Sequence, residues 1–283
     1  MQGKVVVITG GTSGIGQVAA ERLAAMGARI VLVVRSKSRG EATLGRLREL
    51  APGQDHRIHY GDVSRLVDLN RLAEEIRSAE PRIDVLINNA GALFGQRQVT
   101  EDGLELTFAT NHLSYFVLTH GLREQLIASS PSRVVNTSSA AHRYGTMDFD
   151  NLQFERGFKG FPAYGRSKLC NILFTRVLAR RLAGTGVTTN SLHPGFVKTR
   201  FGDGTRGDWM ARSIGYLKIF AISPEKGAET IVYLASSDEV AKTTGLYFDK
   251  CKPVTPSKLA QDDAAAERLW EETAKLAHFP TSP

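Results

Sequence analysis

The first residues of the chain constrain its fold more than any other segment. Residues 4–8 are a short run of β-branched apolar side chains, which is typical of a strand buried on both faces of a parallel sheet. Gly10, Gly14 and Gly16 follow at once, and an amphipathic helical pattern then runs over residues 15–26 until Gly27 ends it. Strand, glycine turn and helix in this order are the context in which a dinucleotide is bound.

The glycine turn has a physical role in such a site. Glycines let the main chain approach a pyrophosphate closely, and the free N–H groups at the start of the helix favour its negative charge. The spacing Gly-x-x-x-Gly-x-Gly differs from the more usual Gly-x-Gly-x-x-Gly, and an ordinary tight turn between strand and helix is the alternative. The cofactor-binding residues predicted from this turn are Gly10, Thr12, Ser13, Gly14, Ile15 and Gly16.

Strand-like runs recur along the rest of the chain, with helical patterns between most of them. They cover residues 29–34, 56–60, 83–87, 133–137, 187–193 and 245–248. This alternation predicts an α/β fold with a doubly wound parallel sheet of the Rossmann type. With 283 residues, 42% hydrophobic content and no linker-like stretch, the sequence predicts a single domain over residues 1–283.

A tyrosine and a lysine lie four residues apart, at Tyr164 and Lys168. Four residues are just over one helical turn, so both side chains share one helix face. A fixed positive charge stabilises phenolate, so the pair predicts a lowered pKa for Tyr164 and general acid/base chemistry. On its own the pair is weak support, since many helices carry it on a solvated face.

Further motifs accompany these two and carry a resemblance to a known family. They are the run 88–91 after a strand, Asn111 in a helical pattern, Ser138–Ser139 at a strand end and the run 193–199. With the glycine turn and the Tyr164/Lys168 pair, they make the chain similar to the short-chain dehydrogenase/reductase family over nearly its whole length. Within that family it most resembles the branch of retinol dehydrogenase-like and protochlorophyllide reductase-like enzymes.

The resemblance implies roles for particular side chains. Tyr164 would exchange a proton with the substrate carbonyl or hydroxyl, and Lys168 would hold the nicotinamide ribose and lower the pKa of Tyr164. Ser139 would orient the substrate oxygen, although Ser138 competes for that role. Asn111 would support a water-linked proton path to Lys168.

The resemblance also implies further contacts with the cofactor. Asp62 matches the position that holds the adenine edge, Asn88 matches one that lines the cofactor groove, and the run 193–199 covers the nicotinamide. The full set implied beyond the glycine turn and Arg35 is Asp62, Val63, Asn88, Ala90, Gly91, Tyr164, Lys168, Pro194, Gly195, Val197 and Thr199. Residues 1–140 are expected to be mainly cofactor-binding.

The end of the second strand indicates which dinucleotide is preferred. A carboxylate there would accept from both ribose hydroxyls of NAD(H), but this chain has Arg35. A guanidinium offers paired donors to a 2′-phosphate, and Ser36 or Lys37 could add a contact. The sequence therefore favours NADP(H) over NAD(H), unless Arg35 merely caps the sheet edge.

Two segments are expected on the substrate side, residues 141–160 and 200–220. Between Ser139 and Tyr164 lie 24 residues, a length shared with the retinol dehydrogenase-like branch. The segment 201–220 begins with glycines and continues with apolar side chains, which suits a mobile lid over a bulky, mostly apolar substrate. Packing of that segment as a helix is the alternative. His142 and Tyr144 could touch the substrate or pack within their loop.

Three functions remain open at this stage. The leading one is an NADP(H)-dependent oxidoreductase that acts on a carbonyl or alcohol. The second is a C=C reductase of the protochlorophyllide reductase-like kind, and the third is a catalytically silent NADP(H)-binding sensor or scaffold. The joint presence of Asn111, Ser139, Tyr164 and Lys168 speaks against the third.

Composition narrows the partners. A formal charge of +7 is spread along the chain without arginine-rich runs, so nucleic-acid binding is not expected. Two cysteines without metal-type spacing predict reduced thiols in the cytoplasm and no metal site. Neither a membrane span nor a signal peptide is expected, unlike the anchored relatives. A homodimer is favoured through helices over residues 104–128 and 163–182, where an apolar stripe has core packing as its alternative explanation.

Overall fold

The computed structural model describes residues 1–196 and 222–279, in which strands and helices alternate along the chain. The strands are β1 (Val5–Thr9), β2 (Arg29–Val34), β3 (Arg57–Tyr60), β4 (Val85–Asn88), β5 (Ser132–Thr137), β6 (Val187–His193), β7 (Tyr247–Asp249) and β8 (Lys252–Pro253). The helices are α1 (Gly14–Ala25), α2 (Lys37–Leu50), α3 (Leu66–Ala79), α4 (Leu106–Phe108), α5 (Ser114–Gly121), α6 (Arg123–Ala128), α7 (Gly160–Arg181), α8 (Pro224–Ser236) and α9 (Asp263–Leu276).

The strands form one sheet in the order β3-β2-β1-β4-β5-β6-β7-β8. All neighbouring pairs are parallel except β7 and β8. Strand β1 is central, with Val6 beside Ile30 on one side and Val85 on the other. The direction of the crossovers reverses between β1 and β4, and such a reversal opens a ligand crevice at the carboxyl ends of the strands. The predicted doubly wound Rossmann-type sheet is confirmed.

Both faces of the sheet are covered, which explains the apolar runs of β1 and β2. In β1, Val5 and Val7 point into a core shared with α3, α5, α7 and α9, while Val6 and Ile8 point into a core shared with α1 and α8. All four side chains are buried. An apolar residue is therefore needed at each of these four positions.

The helix predicted over residues 104–128 is interrupted in the structure. After α4 the chain forms a π-helical turn, Ala109–Leu113, then continues as α5, and Leu122 separates α5 from α6. Leu122 leaves the helical region with φ −106° and ψ 6°. The π-helical turn contains Asn111, whose side chain binds the main chain of Ala92 outside the helix. Regular α-helical geometry is thus interrupted where Asn111 makes a contact with a loop 19 positions away along the chain.

The C-terminal helix α9 covers the apolar stripe of α7. The Trp270 ring lies 5.8 Å from the Phe174 ring and 4.9 Å from the Phe116 ring, centroid to centroid. Asp263 forms ion pairs with Arg176 and Arg180 at 2.8 Å each, and these pairs join α9 to α7 at the edge of the aromatic contact. The stripe is therefore core, and a dimer would need a different face of the molecule.

Two kinds of element are absent from the described residues. No helix within residues 1–196 and 222–279 is long and apolar enough to cross a membrane. No group of three or more His, Cys, Asp or Glu side chains in those same ranges is arranged to hold a metal ion. The two cysteines, Cys170 and Cys251, do not form a disulfide bond.

Candidate active site

The glycine turn has a conformation that only glycines permit. Gly10 and Gly14 have φ of +68° and +55°, in the left-handed region that side chains disfavour. At Gly16 a Cβ atom would lie 2.4 Å from the Gly10 carbonyl oxygen and 2.3 Å from Asn89 Nδ2. Two of these glycines are therefore set by main-chain conformation and the third by close packing.

The start of α1 faces the crevice without a side-chain cap. Ser13 occupies the N-cap position in an extended conformation, but its side chain makes no capping hydrogen bond, and no acidic residue lies in the first turn. Main-chain N–H groups at such an uncapped start favour an anionic group. The turn thus fits the phosphates of a dinucleotide.

Two asparagines, Asn88 and Asn89, lie at the carboxyl end of β4, and the second one contacts the turn. Asn89 Nδ2 donates to the carbonyls of Thr9 and Gly10 at 3.2 and 3.3 Å. Asn88, which we expected to line the cofactor groove, is fully buried and donates to Thr119 and Asn136 instead. Its side chain therefore points away from the glycine turn, because consecutive residues along a strand point to opposite faces.

The chain after Asn89 lies between the glycine turn and α7, the helix that carries Tyr164 and Lys168. A Cβ atom on Gly10 would lie 2.9 Å from the Cα of Ala90. A Cβ atom on Gly91 would lie 3.2 Å from both Lys168 Nζ and Asn111 Oδ1. Ala90 and Gly91 therefore lie between the predicted phosphate and proton-transfer sites.

Arg35 lies at the carboxyl end of β2 and is 72% exposed. Its Nη1 donates to Asp62 Oδ2 at 3.2 Å, so the two residues predicted at the adenine end of the cofactor are neighbours. Ser64 donates to Asp62 through its N–H and its hydroxyl at 2.9 and 2.7 Å. Burial opposes ionisation of Asp62, but the bonds from Ser64 and Arg35 outweigh it and lower its pKa. Val63 next to them packs on the core.

Tyr164, Lys168 and Ser139 meet at the carboxyl ends of β4 and β5. Tyr164 and Ser139 share a side-chain hydrogen bond. Lys168 Nζ lies 5.6 Å from the centre of the Tyr164 ring and donates to the Thr137 carbonyl at 3.1 Å. The tyrosine is 9% and the lysine 2% exposed, so both are withdrawn from bulk water.

Burial sets the acidity of these groups. It raises the pKa of Tyr164 above its usual 10, and the bond from Ser139 only partly offsets this rise. Burial also lowers the pKa of Lys168 to about 7. The expectation of a lowered pKa for Tyr164 is therefore wrong for the protein without ligand. Desolvation outweighs a lysine that is itself only partly charged near neutral pH.

The two neighbouring serines differ in environment. Ser138 is 1% exposed, and its hydroxyl donates to the Lys168 carbonyl at 2.7 Å. Ser139 is half-buried, and its hydroxyl accepts from the Ala141 N–H at 3.1 Å besides bonding to Tyr164. Of the two hydroxyls, that of Ser139 is therefore the one beside the phenol.

Asn111 holds the loop after β4 from within the π-helical turn. Its Oδ1 accepts from the Ala92 N–H at 2.7 Å, and its Nδ2 donates to the Ala92 carbonyl at 2.8 Å. Nδ2 also donates to Ser167 Oγ at 3.0 Å. The structure thus brings Asn111 next to Lys168 through the loop at Gly91.

Several contacts at the site were not predicted. Arg166 is 4% exposed and donates to the carbonyls of Thr146 and Asn151 at 2.8 and 2.6 Å, with its guanidinium 3.8 Å from the centre of the Phe154 ring. It fastens the segment before α7 to the helix that carries Tyr164. The sequence feature that could have indicated this role is the arginine between Tyr164 and Lys168 in the Tyr-x-x-x-Lys motif.

Asn171 is a second residue that was not predicted. It follows Lys168 by three positions and is fully buried. Its Nδ2 donates to the Asn111 and Thr137 carbonyls at 2.9 and 3.2 Å. Its spacing of seven from Tyr164 puts it on the same helix face, which was the signal for it.

His142 packs within the structure and Tyr144 faces solvent. His142 is 1% exposed and lies between the Ser139 carbonyl, at 2.7 Å from Nδ1, and the Ser257 N–H, at 3.1 Å from Nε2. Tyr144 is 69% exposed, and its ring is tilted at 55° to that of Phe161, with ring centroids 5.5 Å apart. For His142 the structure therefore favours loop packing over a substrate contact.

The segment after β6 is described only in part. Pro194 and Gly195 follow the strand, and Gly195 has φ of +90°. Val197, Thr199 and the predicted lid over 201–220 lie outside the described residues.

The fold and this crevice define a Rossmann-type dinucleotide-binding protein. The family model described as short chain dehydrogenase matches residues 4–208. Retinol dehydrogenase 14 from Mus musculus is 41% identical over 283 residues, which cover 96% of this chain and 85% of that protein. The chain therefore belongs to the short-chain dehydrogenase family of oxidoreductases.

Solved structures agree with this assignment. An uncharacterised protein from Mycobacterium paratuberculosis superposes with a TM-score of 0.80 at 32% identity and covers 100% of this chain and 96% of its own. The NADP complex of RhlG from Pseudomonas aeruginosa superposes with a TM-score of 0.70 at 27% identity, over 88% of this chain and 94% of its own. The family binds nicotinamide dinucleotides and uses them for oxidation and reduction.

Proposed function

We propose that this protein is an NADP(H)-dependent oxidoreductase acting on the carbonyl or alcohol group of a bulky, mostly apolar substrate. The observation that carries the proposal is the cluster of Tyr164, Ser139 and Lys168 at the crevice, opposite the uncapped start of α1. A phenol, a hydroxyl and a lysine arranged in this way can bind and protonate one substrate oxygen.

The described residues suit the phosphate and adenosine parts of the cofactor. The glycine turn and the start of α1 would take the pyrophosphate, while Asp62 and Arg35 would meet the adenosine end. Arg35 supports the preference for NADP(H), because an exposed guanidinium can bind a 2′-phosphate in bidentate fashion. When bound, the nicotinamide supplies hydride chemistry to the substrate carbon.

The chain's own part is to hold the substrate oxygen and move a proton. With its pKa above 10, Tyr164 is a neutral phenol at pH 7 and can donate its proton to a developing alkoxide. Ser139 bonds to the same phenol and can orient the oxygen. Lys168, with a pKa of about 7, can be charged or neutral near pH 7 and can return a proton toward the tyrosine side of the site.

The substrate class is argued from the described segment before α7. Two phenylalanine rings lie there, those of Phe154 and Phe158, 5.8 Å apart centroid to centroid. Apolar walls with few polar groups suit a bulky apolar substrate. The relative named retinol dehydrogenase 14 makes a retinoid the first compound to try.

The experiment is NADPH consumption by the whole protein against aldehydes, ketones and enones, with all-trans-retinal and a short aldehyde as a matched pair. We expect turnover with aldehydes or ketones, a higher kcat/KM for the long apolar member, and a lower rate with NADH. Turnover confined to enones would favour C=C reduction. Tight NADPH binding without turnover of any member would favour the sensor or scaffold.

A further inference from the structure

A row of buried polar groups joins the C-terminal helix to the catalytic lysine. It consists of the side chains of Thr273, His112 and Asn171 and the Thr137 carbonyl, and we name it the buried polar row. The three side chains have no exposed surface. Thr273 lies 161 positions from His112 along the chain, so only the fold brings the row together.

The hydrogen bonds of the row can be oriented in one way only. Asn171 Nδ2 lies 2.9 Å from the Asn111 carbonyl and 3.2 Å from the Thr137 carbonyl, and carbonyl oxygens only accept. The amide nitrogen of Asn171 therefore faces the active site, and its Oδ1 accepts from His112 Nδ1–H at 3.2 Å. That leaves His112 Nε2 to accept from the Thr273 hydroxyl at 3.1 Å.

His112 keeps this arrangement because it stays neutral. Complete burial lowers its pKa to about 4, so near pH 7 the ring carries one proton, which the row places on Nδ1. Phe108 and Phe174 rings enclose it at 5.1 and 6.1 Å. The amide of Asn171 thus has a fixed donor behind it and cannot turn over without losing three bonds.

The end of the row is the carbonyl that holds Lys168. The Thr137 oxygen accepts from both Asn171 Nδ2 and Lys168 Nζ, the latter at 3.1 Å. The other carbonyl that Asn171 binds belongs to Asn111 in the π-helical turn. Asn171 therefore holds the carbonyl that accepts from the ammonium group, together with the Asn111 carbonyl in the π-helical turn, and it is itself fully buried.

We propose that Asn171 is a positioning residue for Lys168, and that His112 and Thr273 fix the orientation of its amide from the C-terminal helix. The inference rests on the proposed function, since it assigns a role in proton handling to the lysine. A displaced ammonium would slow catalysis while leaving substrate binding largely unchanged.

Four variants of the full chain test the proposal. Asn171→Leu removes the amide at similar volume, and His112→Leu removes the group that orients it. His112→Asn keeps a donor near the position of Nδ1 and should rescue. Asn190→Leu is the matched control, since Asn190 is 5% exposed and its amide bridges the Thr243 carbonyl and the Leu246 N–H away from the row.

We expect Asn171→Leu and His112→Leu to lower kcat about tenfold or more, with KM for substrate within about twofold of the wild type. His112→Asn and Asn190→Leu should keep kcat within about twofold, even where urea unfolding shows lost stability. An unchanged kcat in Asn171→Leu, or an equal loss in Asn190→Leu, would overturn the proposal. If Asn171→Leu does not fold, the two His112 variants decide by the same criteria.

A second readout separates this inference from the proposed function. Titration of the Lys168 Nζ resonance by ¹⁵N NMR needs no turnover, and its midpoint in the wild type should lie at about 7. Asn171→Leu should raise that midpoint, because Lys168 then no longer shares the Thr137 carbonyl with an amide. His112→Leu should shift it the same way, because the Asn171 amide is no longer held toward that carbonyl. The phenols near Lys168, Tyr164 and Tyr115 at 5.6 and 5.7 Å from ring centre to Nζ, are unchanged in all variants.

Failure of the two ideas then looks different. Wild-type protein without turnover, but with a raised midpoint in both leucine variants, would refute the proposed function and leave the inference standing. Wild-type turnover with the same midpoint in all variants would refute the inference and leave the function standing.

Discussion

The Ser138 hydroxyl donates to the main-chain carbonyl of Lys168 at 2.7 Å. This bond joins the end of β5 to α7 one helical turn after Tyr164. The next residue along the chain, Ser139, points its hydroxyl to the phenol instead. Two identical side chains in sequence therefore have separate structural environments, and this difference can be measured.

Ser139→Ala should lower kcat by a larger factor than Ser138→Ala, because only Ser139 bonds to the Tyr164 phenol. Ser138→Ala should instead lower the free energy of unfolding by about 1–2 kcal/mol, since it leaves the buried Lys168 carbonyl without that donor. Steady-state kinetics and urea unfolding of both variants test this. Equal losses of kcat would show that the two hydroxyls are not functionally distinct.

Tyr164→Phe should lower kcat by ~10²–10⁴-fold while NADPH affinity stays within a few-fold, since it removes a proton and little volume. Tyr144→Phe is the matched control, because Tyr144 carries the same hydroxyl at a position that is 69% exposed. Stopped-flow turnover and fluorescence titration with NADPH measure the two quantities. Near-normal turnover in Tyr164→Phe would remove the tyrosine from the mechanism.

Arg35→Ala should weaken NADPH binding about tenfold to a hundredfold and change NADH binding little, because one charge-assisted contact to a phosphate is worth roughly 1.5–3 kcal/mol. Alanine is chosen over aspartate because a new carboxylate would face Asp62, whose Oδ2 lies 3.2 Å from the Arg35 guanidinium. Arg48→Ala, at an exposed position of α2, is the control for net charge. An unchanged ratio of NADPH affinity to NADH affinity would show that Arg35 has only a structural role.

Gly16→Ala should disrupt the glycine turn, because its new Cβ would lie 2.4 Å from the Gly10 carbonyl oxygen. We expect weaker NADPH binding together with a lower free energy of unfolding. Gly45→Ala makes the same change within α2, where a Cβ atom meets nothing within 4 Å, and should stabilise the protein by about 0.5–1 kcal/mol. Similar effects of both changes on cofactor affinity would contradict the close-packing argument.

Lys168 should make stability depend on pH in the protein without ligand. Its pKa falls from 10.5 to about 7 on burial, so between these values the unfolded chain binds more protons and stability should rise with pH. The free-energy cost of burying the charged ammonium group applies in full below pH 7 and decreases toward pH 10. Lys168→Met has no such burial cost, so it should have the higher free energy of unfolding at pH 7. As the pH rises, this difference from the wild type in urea unfolding should shrink by up to about 1.4 kcal/mol per pH unit. Parallel stability curves for both proteins would show that the lysine titrates normally.

Local patterns in the sequence were sufficient to predict the sheet and most of the candidate site. The apolar runs located β1 and β2 closely, because strands covered on both faces are mostly apolar. The glycine turn and the Tyr164/Lys168 spacing were readable because main-chain strain and helical periodicity act within a few residues.

Other features were decided by the tertiary structure, because they depend on groups that are distant along the chain. The helix over 104–128 is interrupted where Asn111 binds Ala92, and the apolar stripe of α7 is core because Trp270 covers it. Burial reversed the expected pKa shift of Tyr164, since desolvation depends on everything packed around a group. The row from Thr273 to Lys168 likewise exists only once α9 has docked, because no local pattern relates residues 161 positions apart.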